Sequence, residues 1–237
     1  MKQTNVLNSK TVLIIGSGRL AKHLHYWNSL QAKPNHIIKW NRSENPGLLS
    51  EFLQQADLVW LAISDSALQT FFENHLLASA KPVVHFSGAF SDNRMKCAHP
   101  LMSFPNELLP DATYMATWFA ISETDTLNEM LPGFSNASFA VSAKMKPLYH
   151  ALCVVAGNFP QLLWNEVDYS RKQLNIPEAA FSIYLQQTLD NFLNLKSKAL
   201  TGPLIRHDQN TMDKNRTALV NTKLHSIYAA FMKEFSP

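Results

Sequence analysis

Charge is scarce in this chain. Only 16% of its 237 residues are Asp, Glu, Lys or Arg, against about 25% in an average soluble protein. The net charge is +3 and no long basic block occurs, which argues against a nucleic-acid partner. Cysteine is nearly absent. Cys97 and Cys153 are the only two, and they form neither a metal-ligand spacing nor a disulfide framework. Both read as free thiols buried in apolar surroundings, in a protein of the reducing cytoplasm with no metal site. No apolar run approaches the roughly 18 residues of a membrane span. Met1–Lys10 is polar and lacks the apolar core of a signal segment. A soluble, cytoplasmic protein without a membrane partner is the expectation, and low surface charge is compatible with an oligomer.

Glycine is also scarce, at seven residues, yet two of them fall close together in Thr11-Val-Leu-Ile-Ile-Gly16-Ser17-Gly18-Arg19-Leu20-Ala21. An apolar β-branched run leads into G-x-G-x-x-A, and a helical pattern follows. That order is the strand, glycine turn and helix with which Rossmann domains hold a dinucleotide pyrophosphate. The first glycine makes the tight turn, and the second lets the backbone approach the phosphates. The helix N-terminus supplies unpaired N–H groups. The bland alternative is an ordinary tight turn.

Short β-branched runs alternate with helical patterns over the first 140 or so residues. Strands are expected at Thr11–Ile15, His36–Trp40, Leu58–Ile63, Val83–Phe86, Arg94–Ala98, Thr117–Ile121 and Phe139–Val141. Helices are expected at Arg19–Gln31, Leu48–Gln54 and Asp65–Leu77. This alternation implies a doubly wound, mostly parallel sheet. From about Pro147 the texture becomes helical, over Tyr149–Asn165, Ala179–Lys198 and Asp213–Phe235, interrupted at Leu200-Thr-Gly-Pro203. The expected division is a dinucleotide-binding domain over 1–143 and an α-helical substrate and dimerisation domain over 144–237, with the boundary in Ser142–Lys146.

The second strand ends Lys39-Trp40-Asn41-Arg42-Ser43. NAD-binding domains usually place an acid here to accept from the ribose 2′-OH. Asn41, Arg42 and Ser43 can instead donate to a 2′-phosphate, which favours NADP(H). Arg42 as a mere solvated loop residue is the alternative. The third and fourth strands end at Ile63-Ser64-Asp65 and Ser87-Gly88. Carboxyl ends of parallel strands are where such sheets bind ligands, so Ile63, Ser64, Ser87 and Gly88 join Gly16, Ser17, Gly18, Arg19 and Leu20 as candidate cofactor contacts. Gly88 would permit close approach of the nicotinamide. Asp65 reads more readily as a helix N-cap than as a catalytic group.

These segments resemble a family that joins an NADP-type Rossmann domain to a helical domain like that of 6-phosphogluconate dehydrogenase. Its relatives include pyrroline-5-carboxylate reductases, ketopantoate reductases and deazaflavin-dependent NADP oxidoreductases. The matching segments are Ile15–Ala21, Asp57-Leu-Val-Trp-Leu-Ala-Ile-Ser-Asp65, Val84-His-Phe-Ser-Gly88 and His99-Pro-Leu-Met-Ser-Phe104. In the second half they are Tyr149-His-Ala-Leu-Cys-Val-Val-Ala-Gly-Asn-Phe159 and Ala199-Leu-Thr-Gly-Pro-Leu-Ile-Arg-His-Asp208 with Thr211. The resemblance implies the fold, an NADP cofactor and a homodimer formed through the C-terminal helices. It supplies no reaction. Two departures stand out. Where the hydroxyacid dehydrogenase branch carries a proton-donating lysine four residues before an asparagine, this chain has Val154 before Asn158. His207 stands where the family prefers glycine.

Hydride transfer requires a positioned nicotinamide and one proton supplied or removed. His99, before Pro100 at a strand end, is a candidate proton donor, with a backbone-bonded histidine in a rigid turn as the alternative. His150 and Asn158, eight apart, fall on a similar face of one helix. Gly157-Asn158 is costly in a helix, which suggests a polar contact at a site. Thr201, Arg206, Asp208 and Thr211 cluster after Lys198. Arg206 suits a substrate carboxylate. Asp208 could pair with Arg206 or cap the last helix, and the whole motif could equally be a structural brace. Phe181, Tyr184, Phe192, Tyr228, Phe231 and Met232 read as core and dimer packing. The functional expectation is an NADP(H)-dependent oxidoreductase acting on a small keto acid, hydroxy acid or imine in an interdomain cleft. The alternative is a non-catalytic NADP(H)-binding redox sensor.

Overall fold

A computed structural model describes residues 9–235, so the Met1–Lys10 segment lies largely outside the described residues. The chain divides into two compact units, one up to Val155 and one from Ala156. The division falls within a π-helical turn, Val154–Asn158.

The first unit is built on a seven-stranded sheet. Its strands are β1 (Thr11–Ile15), β2 (His36–Trp40), β3 (Leu58–Leu61), β4 (Val83–His85), β5 (Lys96–Pro100), β6 (Phe119–Ile121) and β7 (Ser138–Ala140). Their order across the sheet is β2-β1-β3-β4-β5-β6-β7. The first five are parallel, β6 runs antiparallel to β5, and β7 is parallel to β6. The helices of this unit are α1 (Arg19–Ser29), α2 (Pro46–Gln55), α3 (Asp65–Phe71), α4 (Asp111–Ala116), α5 (Leu127–Met130) and α6 (Lys146–Cys153). This is the Rossmann-type, mostly parallel sheet the alternation implies, followed by a helical C-terminal region.

Period-two side-chain alternation explains why both faces of the sheet are covered. Val12 and Ile14 pack with Leu24, Trp27, Trp60 and Phe119 on one face. Leu13 and Ile15 pack with Leu49, Leu53, Val59 and Leu68 on the other. All four β1 side chains are essentially inaccessible, as a near-continuous apolar strand requires. The inner face of α1 also buries His23, whose ring nitrogens bond Tyr114 Oη and the Pro105 carbonyl. That contact ties the loop after β5 to the first helix.

Several boundaries differ from the sequence reading for local reasons. The helical run after Asp65 passes from α3 into a π-helical turn, Phe72–Leu76, and a short 3-10 turn, Leu77–Ser79. The fifth strand starts at Lys96 rather than Arg94, because Arg94 is held in a turn by Asp92 and reaches Glu73. Ser64 is the N-cap residue of α3 and Asp65 its first helical residue, so Asp65 is not the cap. Cys97 is buried, but Cys153 is only partly buried.

The second unit contains α7 (Phe159–Gln173), α8 (Glu178–Leu195), α9 (Gln209–Ala218) and α10 (Leu224–Phe235). The expected Asp213–Phe235 helix is two helices, separated by a turn in which Thr222 N–H donates to the Leu219 carbonyl. Arg171 joins α7 to α8. Its guanidinium contacts Asp168, the Ile176 carbonyl and Glu178, and lies over Phe181. Among the described residues of this unit only Arg171 and Met212 are buried. None of Phe181, Tyr184, Phe192, Tyr228, Phe231 and Met232 is buried, so they are not core within a single chain.

Candidate functional site

The glycine turn follows from steric necessity at Gly16 and from open space at Gly18. Gly16 has φ +128°, and a Cβ there would lie 2.2 Å from the Ala62 carbonyl oxygen. The ends of β1 and β3 are therefore pressed together in a way only glycine allows. Gly16 N–H donates to the Trp40 carbonyl, which fastens the end of β2 alongside. Chain connections diverge between β1 and β3, the position at which open α/β sheets bind ligands. Gly18 caps α1 with extended backbone, and its side-chain position meets nothing within 4 Å. No side chain caps α1 and no acid lies in its first turn. Ser17, Gly18 and Arg19 are exposed and Leu20 partly so. The uncapped N–H groups and the helix dipole suit an anion such as a pyrophosphate.

After β2, Asn41 is spent on its own loop. Its Oδ1 accepts from Ser43 N–H, and its Nδ2 donates to Glu44. Arg42 and Ser43 are exposed, and the Arg42 guanidinium has no hydrogen bond or ion pair among the described residues. Of the three residues expected to donate to a 2′-phosphate, Arg42 and the Ser43 hydroxyl are thus available.

At the end of β4, the Ser87 hydroxyl donates to Asp65 at 2.6 Å and accepts from Phe90 N–H. β3 ends at Leu61 rather than at the expected Ile63, so Ile63 and Ser64 lie in the turn between β3 and α3, and Ile63 packs near Gly16. What comes close to Gly88 is the chain itself. A Cβ there would stand 2.6 Å from His150 Cδ2 and 2.9 Å from His99 Nε2. The two rings are edge-to-face, with centroids 6.0 Å apart. The structure thus brings His99, His150 and Gly88 together, and the two imidazoles occupy the space a side chain at Gly88 would need.

Two residues of this cluster had no role in the sequence reading. Tyr149 Oη lies 2.8 Å from His99 Nδ1. Lys146 is 5% exposed, and its ammonium donates to the Phe90 carbonyl. No carboxylate lies within ion-pair distance of it among the described residues. Lys146, Tyr149, His150 and Cys153 fall at i, i+3, i+4 and i+7 of α6, a polar inner stripe at helical spacing that was visible in the sequence.

These surroundings disfavour a second positive charge. Burial, with His150 and Lys146 beside it, pushes the His99 imidazole down to about 4, against a smaller opposing effect of Asp65. Burial and Lys146 push His85 down to about 3. Burial pushes the Cys97 thiol up and, with Cys153 beside it, the Tyr149 phenol up. His99 is therefore a neutral imidazole at pH 7. It can polarise a carbonyl or imine as a hydrogen-bond donor but is no ready source of a proton.

The remaining candidates belong to the second unit. Asn158 is exposed and lies at the end of the π-helical turn. The α-helical spacing that put it on the face of His150 does not apply across that turn. A π turn also accounts for the Gly157-Asn158 pair without a straight helix being strained. Asp208 caps α9, not the last helix. Its carboxylate accepts from Thr211 N–H at 3.0 Å and from Thr211 Oγ1 at 2.6 Å, which holds it below the usual range. Arg206 is exposed and forms no ion pair with Asp208, whose carboxylate is taken up by Thr211. Thr201 is exposed. His207 has φ +57°, the left-handed region, which glycine adopts more readily than histidine. Among the described residues no cluster of His, Cys, Asp or Glu could hold a metal, and no helix is long and apolar enough to cross a membrane.

Comparison with known proteins places this geometry among related folds. Residues 120–235 match the family described as "Domain of unknown function (DUF2520)". A search of the curated proteins found no match. Among solved structures, the chain is similar to a candidate NADP oxidoreductase from Bacteroides fragilis, with a TM-score of 0.77 and 18% identity over 96% of this chain and 98% of the other. It is similar to a 1-pyrroline-5-carboxylate reductase from Streptococcus pyogenes (TM-score 0.57, 16% identity, 96% of this chain and 97% of the other). An imine reductase from Aspergillus terreus in complex with NADPH4 has a TM-score of 0.58 and 12% identity, over 96% of this chain and 95% of the other. At these identities the likeness is one of fold. The chain shares its architecture along nearly its whole length with these proteins.

Proposed function

We propose that the protein is an NADP(H)-dependent oxidoreductase that transfers hydride to or from a small keto acid, hydroxy acid or imine. The observation that carries this reading is the glycine turn. Gly16 is sterically enforced, Gly18 faces open space, and the uncapped N-terminus of α1 begins there. The described oxidoreductases of the same fold lend it support. Arg42 and Ser43 are assigned to the 2′-phosphate, and Ile63, Ser64 and Ser87 to the cofactor's nicotinamide half. The nicotinamide, when bound, supplies or accepts the hydride. In the reducing direction, carbon takes that hydride and the attached oxygen or nitrogen takes a proton from solvent. His99 acts on that heteroatom as a neutral N–H donor. Asn158, His150, Thr201 and Arg206 are assigned to substrate, with Arg206 suited to a carboxylate. Asp208 is assigned to holding the loop.

Loss of nicotinamide absorbance with a panel of keto acids, cyclic imines and hydroxy acids tests the reading. Turnover with one class, reduced by roughly 10²-fold in His99→Ala, is the expected result. A second reading has its own observation. His99 is uncharged at neutral pH and Val154 stands at the position of the lysine, so neither position supplies a charged proton donor. NADPH binding without turnover across the panel would favour a redox sensor.

The expected assembly is a homodimer through the second unit. Leu162, Ile183, Tyr184 and Phe192 are 64%, 71%, 66% and 51% exposed, and the 18-residue α8 buries no side chain of its own. A second copy covering these faces would supply the core this unit lacks.

A further inference from the structure

Tyr149 lies on α6 beside His150, and its position against His99 defines a role for it. Its Oη is 2.8 Å from His99 Nδ1, and the rings meet edge-to-face with centroids 5.5 Å apart. On the other side of the imidazole, Nε2 abuts Gly88 and has no hydrogen-bond partner among the described residues. We propose that Tyr149 is a positioning residue that donates its phenolic proton to Nδ1 of His99, so that the imidazole proton resides on Nε2 and a free N–H is presented beside Gly88.

The assignment follows from what each atom can do. A tyrosine phenol is protonated at neutral pH, and burial beside Cys97 and Cys153 reinforces this. Of the acceptors near it, an imidazole nitrogen is stronger than a thiol sulfur. A neutral imidazole that accepts at Nδ1 must carry its proton at Nε2. Lys146 and His150 bear on the ring from α6 and oppose a second proton, whereas Asp65 favours one. Tyr149 sits one turn after Lys146 and next to His150 in α6, so a single helix both orients the ring and opposes its charging. The catalytic use of the resulting N–H rests on the oxidoreductase reading, but the tautomer does not.

Nitrogen NMR of the full chain labelled at histidine tests the proposal. In the wild type at pH 7, His99 should show Nε2 as a protonated, pyrrole-type nitrogen. Its Nδ1 should be an unprotonated nitrogen carrying the shift of an accepted hydrogen bond. In Tyr149→Phe that hydrogen-bond shift should disappear. If the panel finds a substrate, kcat in this variant should fall roughly tenfold with NADPH affinity unchanged. A wild-type spectrum with the proton on Nδ1, or on both nitrogens, overturns the proposal even if Tyr149→Phe fails to fold. A correct tautomer with no turnover on any substrate would leave the positioning role intact and count against the oxidoreductase reading.

Discussion

At the scale of single residues, Gly16 and Gly18 are often treated as one motif, yet they face opposite physical demands. Gly16 sits at positive φ with a carbonyl oxygen 2.2 Å from where a Cβ would be. Gly16→Ala therefore has to push the end of β3 away from β1 or distort its own backbone, at an expected cost of about 2–5 kcal/mol. Gly18 has φ −72° and an empty surrounding. Gly18→Ala exchanges one uncapped N-cap residue for a poorer one and should cost only about 1 kcal/mol of stability while weakening NADPH binding at least tenfold, or about 1.4 kcal/mol. Denaturant melts and cofactor titrations of the two variants would separate the roles. Equal loss of stability in both would contradict this division. Gly88 belongs with Gly16 in kind, since its missing Cβ makes room for His99 and His150.

At the scale of elements, β4, β5 and α6 bring two histidines together around one buried lysine. His85 and His99 are both depressed, to about 3 and about 4, chiefly by burial. In the unfolded chain each titrates near 6.5. Between those values the unfolded state binds more protons, so folding stability is fully present above about pH 6.5 and is lost as pH falls. Each group contributes a slope of about 1.4 kcal/mol per pH unit within its own window. Melting curves between pH 7 and pH 4 should show a steep drop, shallower in His85→Asn. A flat profile would show that these histidines are not buried neutral. The strands and the helices α1 to α3 were legible because apolar periodicity and turn residues act locally, whereas α4 and α5, of six and four residues, are too short to show a period. The loop of Arg42 was legible too, since it continues β2 directly. The polar face of α6 was not read as a site because Lys146 and Tyr149 gain their meaning from Phe90 and His99, which lie more than 45 residues away in sequence. The π-helical turn at Val154–Asn158 was hidden because Gly-Asn in a helix has several local explanations, and only backbone geometry selects among them.

At the scale of the whole molecule, the two units differ in how they are stabilised. The first has a sheet with filled cores on both faces. The second holds its helices with polar brackets such as Arg171 and Lys223–Glu166, and leaves α7 and α8 apolar faces uncovered. A dimer at micromolar concentration in sedimentation velocity is the expected outcome, with Ile183→Asp shifting it toward monomer. A wild-type monomer would place the missing core elsewhere. The division of labour makes the first unit the test of what the protein binds. The decisive measurement is equilibrium titration of the full chain with NADPH and with NADH, repeated with Arg42→Ala. NADPH should bind more tightly than NADH by at least roughly tenfold, and Arg42→Ala should erase most of that difference while leaving NADH binding unchanged. Failure to bind either nucleotide, or equal affinities unaffected by Arg42→Ala, would contradict the account.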